Sequence, residues 1–371
     1  MMNAKVPLDA SLVRPSIARL GPAQARFPTT AWSVPAPPIR LHLNEAAFPP
    51  SPRVVEAIVR YAGAVGPYPD PQPQALLAAL SARAEFPAHR IVLGAGCDEL
   101  IETCALAFLE PGRTAVMPSP AFPKYRQACL VAGGEPVVTA LAPEGHVDAE
   151  ALRNACDART RIVFVPTPNN PTGGVIPALA LRDLVARAPR HAVLVFDEAY
   201  HEFARAAGAP DLLSTLADSD ARWVVLRSLS KAYCLAGMRV GYALAGDDEL
   251  AEWLQRVRPV FNVTSLSAVA AVAALGDEAH RDMLLSVTAR ERERLVRALG
   301  TRGLAALPSA TNFLAIDLAR EARPIIAALK DRGILVAGIA AAGYERFIRV
   351  SIGTAEHNDA LLAALTSIVG E

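Results

Sequence analysis

The sequence predicts an α/β fold: a large unit on a mostly parallel sheet flanked by helices, then a smaller α+β unit. Three observations carry this. Short runs rich in Val, Ile, Phe or Trp recur at Ile91–Gly94 and at residues 114–117, 135–139, 161–166, 192–197 and 223–228, with helical patterns such as 121–132 and 176–188 between them. Alternation of this kind builds parallel sheets, because parallel neighbours need a crossover helix. Several of the runs are apolar along their whole length, as strands covered on both faces must be. Beyond about Arg256 the texture changes. Long helices over roughly 265–299 lead to strands at Phe313–Asp317, 334–337 and 347–352, then to a last helix from Ala355.

The remaining elements follow in order. Residues 1–40 are proline-rich, have little periodicity and read as an extended arm. Pro52–Tyr61 and residues 72–84 have helical patterns, and residues 98–109 form a helix directly after the strand Ile91–Gly94. No repeat or low-complexity block interrupts the chain.

Composition narrows the class. The chain has 371 residues, 52% of them hydrophobic, with 37 basic residues against 37 acidic. That balance excludes a dedicated nucleic-acid binder and a disordered chain. The start lacks the apolar core of a secretory signal. Two long uncharged stretches, 162–181 and 259–276, are too rich in Pro, Gly, Asn, Ser and Thr to read as membrane spans. Cys97, Cys104, Cys129, Cys156 and Cys234 show no metal-ligand or disulfide spacing, so reduced thiols and no metal site are expected. A soluble cytoplasmic enzyme is the expected class. The basic residues are almost all arginine, and the lysines are Lys5, Lys124, Lys231 and Lys330. A GC-rich genome explains the bias, and it draws attention to the lysines that remain.

One of them lies in the most informative string, Ser228-Leu-Ser230-Lys231-Ala-Tyr-Cys-Leu-Ala-Gly-Met-Arg239-Val-Gly241, which directly follows an apolar run. A desolvated lysine has a lowered pKa and becomes a nucleophile for Schiff-base chemistry. Two hydroxyls and an arginine eight residues later can converge on one dianion. The string Phe196-Asp197-Glu198-Ala199-Tyr200 also ends a strand. An acid there sits where open α/β sheets bind ligands, and Asp197 suits a protonated ring nitrogen. Pro166-Thr-Pro-Asn-Asn170-Pro-Thr-Gly-Gly174 is a turn sequence in the same position one strand earlier. Gly94-Ala-Gly96-Cys97-Asp98 hands a strand to a helix, whose free N–H groups suit phosphate. Near the C-terminus, Arg349 alternates into a strand and can offer a fork to a carboxylate.

Together these strings resemble the fold type I pyridoxal-phosphate aminotransferases, and within them the histidinol-phosphate aminotransferase-like branch. The likeness runs from Arg14-Pro-Ser-Ile-Ala-Arg-Leu and Leu43-Asn44-Glu45, through Tyr68-Pro-Asp70, to Arg349-Val-Ser-Ile-Gly-Thr-Ala-Glu356. It implies a large domain with a seven-stranded, mostly parallel sheet over 61–256. A small domain is expected from 41–60 and 257–371, with the arm at 1–40. The implied cofactor is pyridoxal 5'-phosphate, held by Lys231 as an internal aldimine, with Lys231 then moving the substrate proton. By the same likeness Asp197 pairs with the pyridine nitrogen, and Tyr200 and Asn170 bond the ring hydroxyl. Phe122 stacks on the ring, and Gly96, Cys97, Ser228, Ser230 and Arg239 take the phosphate. Tyr68 reaches that phosphate from the neighbouring subunit of a homodimer. Arg349 and Asn44 face the amino-acid-like substrate, with 2-oxoglutarate and glutamate as the second pair.

Two departures bear on the substrate. Asn44-Glu45-Ala46-Ala47-Phe48-Pro49 replaces the branch's Asn-Glu-Asn-Pro-Phe-Gly, and Gly333-Ile-Leu-Val336-Ala337 ends in Ala where the branch has Arg. These keep open an alternative, a decarboxylase, lyase, cyclase or oxidase of specialised metabolism on the same scaffold. A non-catalytic regulator is disfavoured, because Lys231 is intact and no helix-turn-helix region precedes the core.

Overall fold

The computed structural model describes residues 13–20 and 38–370. Its first two strands are β1 (Ile39–Arg40) and β2 (Ile91–Gly94). The main run follows as β3 (Thr114–Ser119), β4 (Glu135–Ala140), β5 (Thr160–Pro166), β6 (Val193–Asp197), β7 (Arg222–Ser228) and β8 (Gly241–Ala245). The C-terminal strands are β9 (Ala305–Ala306), β10 (Phe313–Asp317), β11 (Ile334–Leu335), β12 (Ala337–Gly338) and β13 (Phe347–Ser351). The expected arm falls largely outside the described residues. Within it, Pro15–Ala18 is one helical turn, tied down by Arg14 donating to the Val131 carbonyl (2.6 Å) and by the Arg19–Glu135 ion pair (2.9 Å).

Seven strands form the large sheet in the order β2-β8-β7-β6-β5-β3-β4. β3 to β7 pair in parallel, whereas β8 runs antiparallel to both β7 and β2. The fold is therefore α/β with a mostly parallel seven-stranded sheet. β6 and β8 are buried at every residue, and β4, at the edge, is the exception, with three exposed residues. Apolar side chains of alternating strand positions enter two cores. Val163, Val165, Leu194 and Phe196 face one, and Ile162, Phe164, Val193 and Val195 face the other. This is the period-two consequence of strand geometry.

The helices begin where their caps predict. Ser51, Asp148, Asp247 and Thr264 each accept an N–H of the first turn, and Glu85 and Gly133 end their helices in the left-handed region. The C-terminal helical region divides at Gly276-Asp277 into Ser265–Leu275 and Glu278–Gly300. Ser265–Leu275 packs against Pro52–Tyr61, and Val54 and Ala271 join the core on one face of the large sheet.

A four-stranded antiparallel sheet, β12-β13-β10-β9, carries the third core with Leu41, Leu299, Leu329, Ile348 and Leu365. The run read as one strand at 334–337 is two. Ile334 and Leu335 pair in parallel with β1, and Ala337 and Gly338 pair with β13. The strand changes partner at Val336, which no local pattern reveals. No helix among the described residues is long and apolar enough to cross a membrane.

Candidate active site

β5, β6 and β7 end side by side, and each delivers a motif at its C-terminal end. Pro166 pairs with Asp197, and Asp197 pairs with Leu226. This is the edge at which open α/β sheets bind ligands. The peptides Ser119–Pro120 and Thr167–Pro168 at the same edge are cis.

Asp197 is buried. Its Oδ2 accepts from the Tyr125 hydroxyl at 2.6 Å and its Oδ1 from the Ala199 N–H at 2.9 Å. Burial pushes its carboxyl up; the two donors oppose this, and the charges of Asp98 and Glu198 add to it. The site is therefore poised to gain from a cation placed against it. Tyr125 stacks on Phe164 at 4.8 Å and meets Phe122 edge-on at 6.0 Å. Tyr125 was not assigned a role in the sequence. The available signal was its place three residues after Phe122, on the helix Lys124–Ala132 that follows β3.

Lys231 lies in the turn after β7. Its Nζ donates to the carbonyl of Asn44 at 3.1 Å and reaches that of Leu43 at 3.4 Å, and sits 5.8 Å from the Tyr200 ring centroid. Burial lowers its pKa to about 8; Arg349 and Arg239 act with burial, Cys97 and Glu45 against it. A substantial neutral fraction therefore exists near neutral pH, which a nucleophilic amine requires.

Asn44 gathers three other parts of the site. Its Nδ2 donates to the Tyr200 hydroxyl at 2.8 Å, and its N–H donates to Ser351 Oγ at 2.8 Å. Its carbonyl also accepts from Asn312 Nδ2 at 3.1 Å. Its φ of 54° lies in the left-handed region, which Asn tolerates better than most residues. Burial raises the Tyr200 hydroxyl to about 12, with Arg349 and Asn44 opposing. The Tyr200 ring packs edge-on to Phe313 at 5.2 Å. Neither Asn312 nor Ser351 was singled out in the sequence. They reach Asn44 across some 270 to 310 residues of chain, and short motifs carry no trace of that.

The glycine string builds a cradle. Gly96 has φ +82° and caps the helix Cys97–Phe108, and a Cβ placed on it would fall 2.5 Å from Arg239 Nη2. A Cβ on Gly241 would fall 2.8 Å from the Gly96 carbonyl carbon and 2.9 Å from the Cys97 nitrogen. Both glycines let backbone N–H groups and a guanidinium approach one spot, the donor set a phosphate requires. Ser228 Oγ accepts the Ser230 N–H at 3.0 Å and closes the neighbouring turn. The Cys97 thiol is pushed well up by burial and also feels Asp197, Asp98, Lys231 and Arg239. As the first residue of its helix, directly after Gly96, Cys97 borders the cradle. Gly96→Ala is expected to cost about 1–3 kcal/mol of stability through left-handed strain. It should also displace Arg239 and weaken inorganic phosphate binding to the apoprotein, which isothermal titration would register.

Arg349, on β13, donates from Nη1 to Asn170 Oδ1 at 2.6 Å and from Nη2 to the His42 carbonyl at 2.5 Å. Its guanidinium lies 5.7 Å from the Phe313 ring, and its Nε has no partner among the described residues. A buried donor without a partner is suited to an incoming acceptor. Ala337 lies opposite Arg349 in antiparallel register. Asn169, next to Asn170, is fully buried, with its Oδ1 unpaired and its Nδ2 donating to Pro120 and Thr172.

The structure thus brings together Asp197, Tyr200, Lys231 and Asn44, joins Gly96 and Cys97 to Arg239, and joins Asn170 to Arg349. Tyr68 stands apart, 84% exposed and stacked on Phe261 at 5.0 Å. The five cysteines are free, and no group of three or more His, Cys, Asp or Glu among the described residues is arranged to hold a metal.

Comparison with known proteins identifies the family and the fold. The family model described as aminotransferase class I and II matches residues 36–365, and the chain belongs to that family. It is 37% identical over 364 residues to histidinol-phosphate aminotransferase 2 of Pseudomonas aeruginosa, covering 97% of this chain and 98% of that one. It is 38% identical over 337 residues to histidinol-phosphate aminotransferase 2 of Methylococcus capsulatus, covering 89% and 90%. The crystal structure of histidinol-phosphate aminotransferase from Sinorhizobium meliloti in complex with pyridoxal-5'-phosphate superposes with a TM-score of 0.87 at 30% identity, covering 98% of this chain and 99% of that one.

Proposed function

We propose that the protein is a pyridoxal-phosphate-dependent aminotransferase of the histidinol-phosphate type. It moves an amino group between an amino-acid-like substrate and the 2-oxoglutarate/glutamate pair. The observation that carries this reading is one sheet edge that holds the Lys231 amine after β7, the buried Asp197 carboxylate at the end of the neighbouring β6 and the Gly96–Arg239 cradle beside β8. Their chemistry fits the cofactor one end at a time. A carboxylate would be a poor neighbour for the phosphate, and the cradle supplies that end; Asp197 suits a protonated pyridine nitrogen. When bound, pyridoxal phosphate supplies the electron sink that makes the substrate's Cα proton acidic.

The chain's own residues do the rest. Lys231 Nζ would attach the cofactor while no substrate is present. Once displaced, it would take the proton from the substrate's Cα and deliver it to the cofactor's former aldehyde carbon, a task suited to an amine with pKa about 8. Tyr200 and Asn170 would offer polar groups to the cofactor's ring hydroxyl, and Phe122 would cover the ring. Ser228, Ser230, Gly96, Cys97 and Arg239 would hold the phosphate. Arg349 has an unpaired Nε and takes the substrate's anionic end, with Asn44 beside it. Ala337, opposite it, adds no second cation there.

Tyr68 acts, in this reading, from the partner subunit of a homodimer. Its exposure, together with the exposed Phe261 ring on which it stacks, supports that, since exposed apolar surface marks interaction sites. A cytoplasmic location goes with the same reading.

The test is to mix the holoenzyme with single amino donors and identify products by mass spectrometry. Release of the matching oxo-acid, with the cofactor left in its pyridoxamine form, is expected. Carbon dioxide, ammonia or peroxide without that form would sink the reading.

A further inference from the structure

The residue after Asp197 and the residue before Ser228 meet in a buried ion pair. Arg227 donates from Nε at 2.9 Å and lies at 2.8 Å through Nη2, both to the same Glu198 Oε2. Both side chains are buried, and His201 Nδ1 lies 3.2 Å from the same oxygen. A backbone bond runs alongside, with the Glu198 N–H donating to the Leu226 carbonyl at 2.8 Å. The two turns that hold Asp197, Tyr200, Ser228, Ser230 and Lys231 are therefore joined by main chain and side chain together.

We infer that Arg227 and Glu198 are positioning residues for the aminotransferase reaction: their buried pair locks the Asp197–Tyr200 turn to the Ser228–Lys231 turn and neutralises the Glu198 charge beside Asp197. The inference rests on the function proposed above.

Stability alone does not account for the pair. A buried ion pair gains little over well-packed apolar side chains of the same volume, because desolvating two charges offsets their attraction. An apolar pair would fill the space, but it would not fix the mutual orientation of two turns. A guanidinium can, because its donors lie in one rigid plane. The geometry also explains how two acids stand at adjacent positions. Burial alone would push the Glu198 carboxyl up, but Arg227 and His201 outweigh it and hold it down at about 2. Burial would depress the Arg227 guanidinium, but Glu198, Tyr242 and Glu202 raise it. Glu198 therefore stays charged, and its charge is matched by Arg227 before it can act fully on Asp197.

Removing Arg227 leaves a carboxylate next to Asp197 without its main partner. Repulsion then favours protonated Asp197, which cannot pair with a ring cation. It also releases one turn from the other. A shift of about 1 Å in a catalytic group can lower turnover about 100-fold.

The test is Arg227→Met in the holoenzyme with saturating cofactor. The expected result is a fall in kcat on the order of 100-fold with a smaller change in KM for the amino donor. The pH midpoint of the bound cofactor's absorbance should also move, which a purely structural filler would not cause. Arg227→Lys, which keeps the charge, should recover part of kcat and most of the spectral midpoint. If Arg227→Met proves insoluble, Glu198→Gln probes the pair from the other side with nearly the same shape, and the same two readouts decide. A folded Arg227→Met or Glu198→Gln holoenzyme with wild-type kcat and an unmoved midpoint overturns the inference. If the wild-type enzyme does not transaminate at all, the functional reading fails instead, so the two failures are distinct.

Discussion

Lys231→Ala is expected to abolish transamination, lowering kcat by about 10⁴-fold or more, because it removes both the attachment point and the proton carrier. The absorbance of the covalently held cofactor should disappear, and borohydride should no longer fix the cofactor to the chain. The fold should survive, since among the described residues the Lys231 side chain donates only to the Asn44 and Leu43 carbonyls. Apoprotein stability should hold or rise, because the substitution removes an amine whose charged form is penalised by burial. The wild-type apoprotein offers a matching pH test. Only the neutral amine attacks an aldehyde, and burial has brought this amine down to about 8. The rate of cofactor capture should therefore climb with pH and level off above about 8, well below the range of an ordinary lysine. A rate that still rises steeply toward the ordinary lysine range would show that Lys231 is solvated. A Lys231→Ala enzyme with normal turnover would end the assignment.

The parts of this site that were legible in sequence are the parts that are local. Lys231, Asp197 and the Gly96–Cys97 turn each follow a buried apolar strand directly, and strand end, turn and functional group fall within about a dozen residues. The sheet was legible for the same reason, since the central runs 162–165, 193–196 and 223–226 of β5, β6 and β7 are apolar. β8 was not. Gly241-Tyr-Ala-Leu-Ala245 has no β-branched residue, and it follows the lysine string so closely that it reads as the tail of the motif. Its strand character comes from antiparallel pairing with β7 and β2 on its two sides. The partner change at Val336 was hidden because β1, which pairs with Ile334 and Leu335, lies nearly 300 residues earlier in the chain.

Side-chain partnerships were the least legible part. Asn44 looked like a substrate residue from its motif. The structure shows it also bonding the Tyr200 hydroxyl and the Lys231 amine directly, while Ser351 of β13 and Asn312 just before β10 hold Asn44 in turn. Asn170 was expected to face the cofactor hydroxyl, and its Oδ1 is found accepting from Arg349. The two roles are compatible, since an amide carries two donors besides its oxygen. Tyr125 shows the same limit. A tyrosine in a helix near β3 is ordinary, and only the parallel order that sets β3 beside β5 and β5 beside β6 brings its hydroxyl to Asp197.

That last contact separates what Asp197 does for the fold from what it does for the reaction. In Asp197→Asn, one amide oxygen can still accept either the Tyr125 hydroxyl or the Ala199 N–H, so much of the local bonding survives. The sign of the stability change follows from linkage. The folded-state pKa of Asp197 is raised above 3.8, first by burial. Between 3.8 and that raised value the folded protein holds more protons than the unfolded one, so this group's contribution falls as pH rises through the window. Above that raised value the ionised carboxylate is a net cost to the apoprotein. Asp197→Asn apoprotein should be at least as stable to urea at pH 7 as wild type, with its advantage shrinking on acidification. The holoenzyme should behave in the opposite way. An amide cannot balance a protonated pyridine nitrogen, and loss of one preorganised electrostatic partner lowers kcat by about 10²–10³-fold. Asp197→Ala should lose a similar factor in kcat, and about 1–3 kcal/mol of stability as well, because the buried Tyr125 hydroxyl then has no acceptor. Urea titrations of the apoproteins beside kcat of the holoenzymes separate the two effects. An Asn variant that turns over at the wild-type rate would show that Asp197 serves the fold alone.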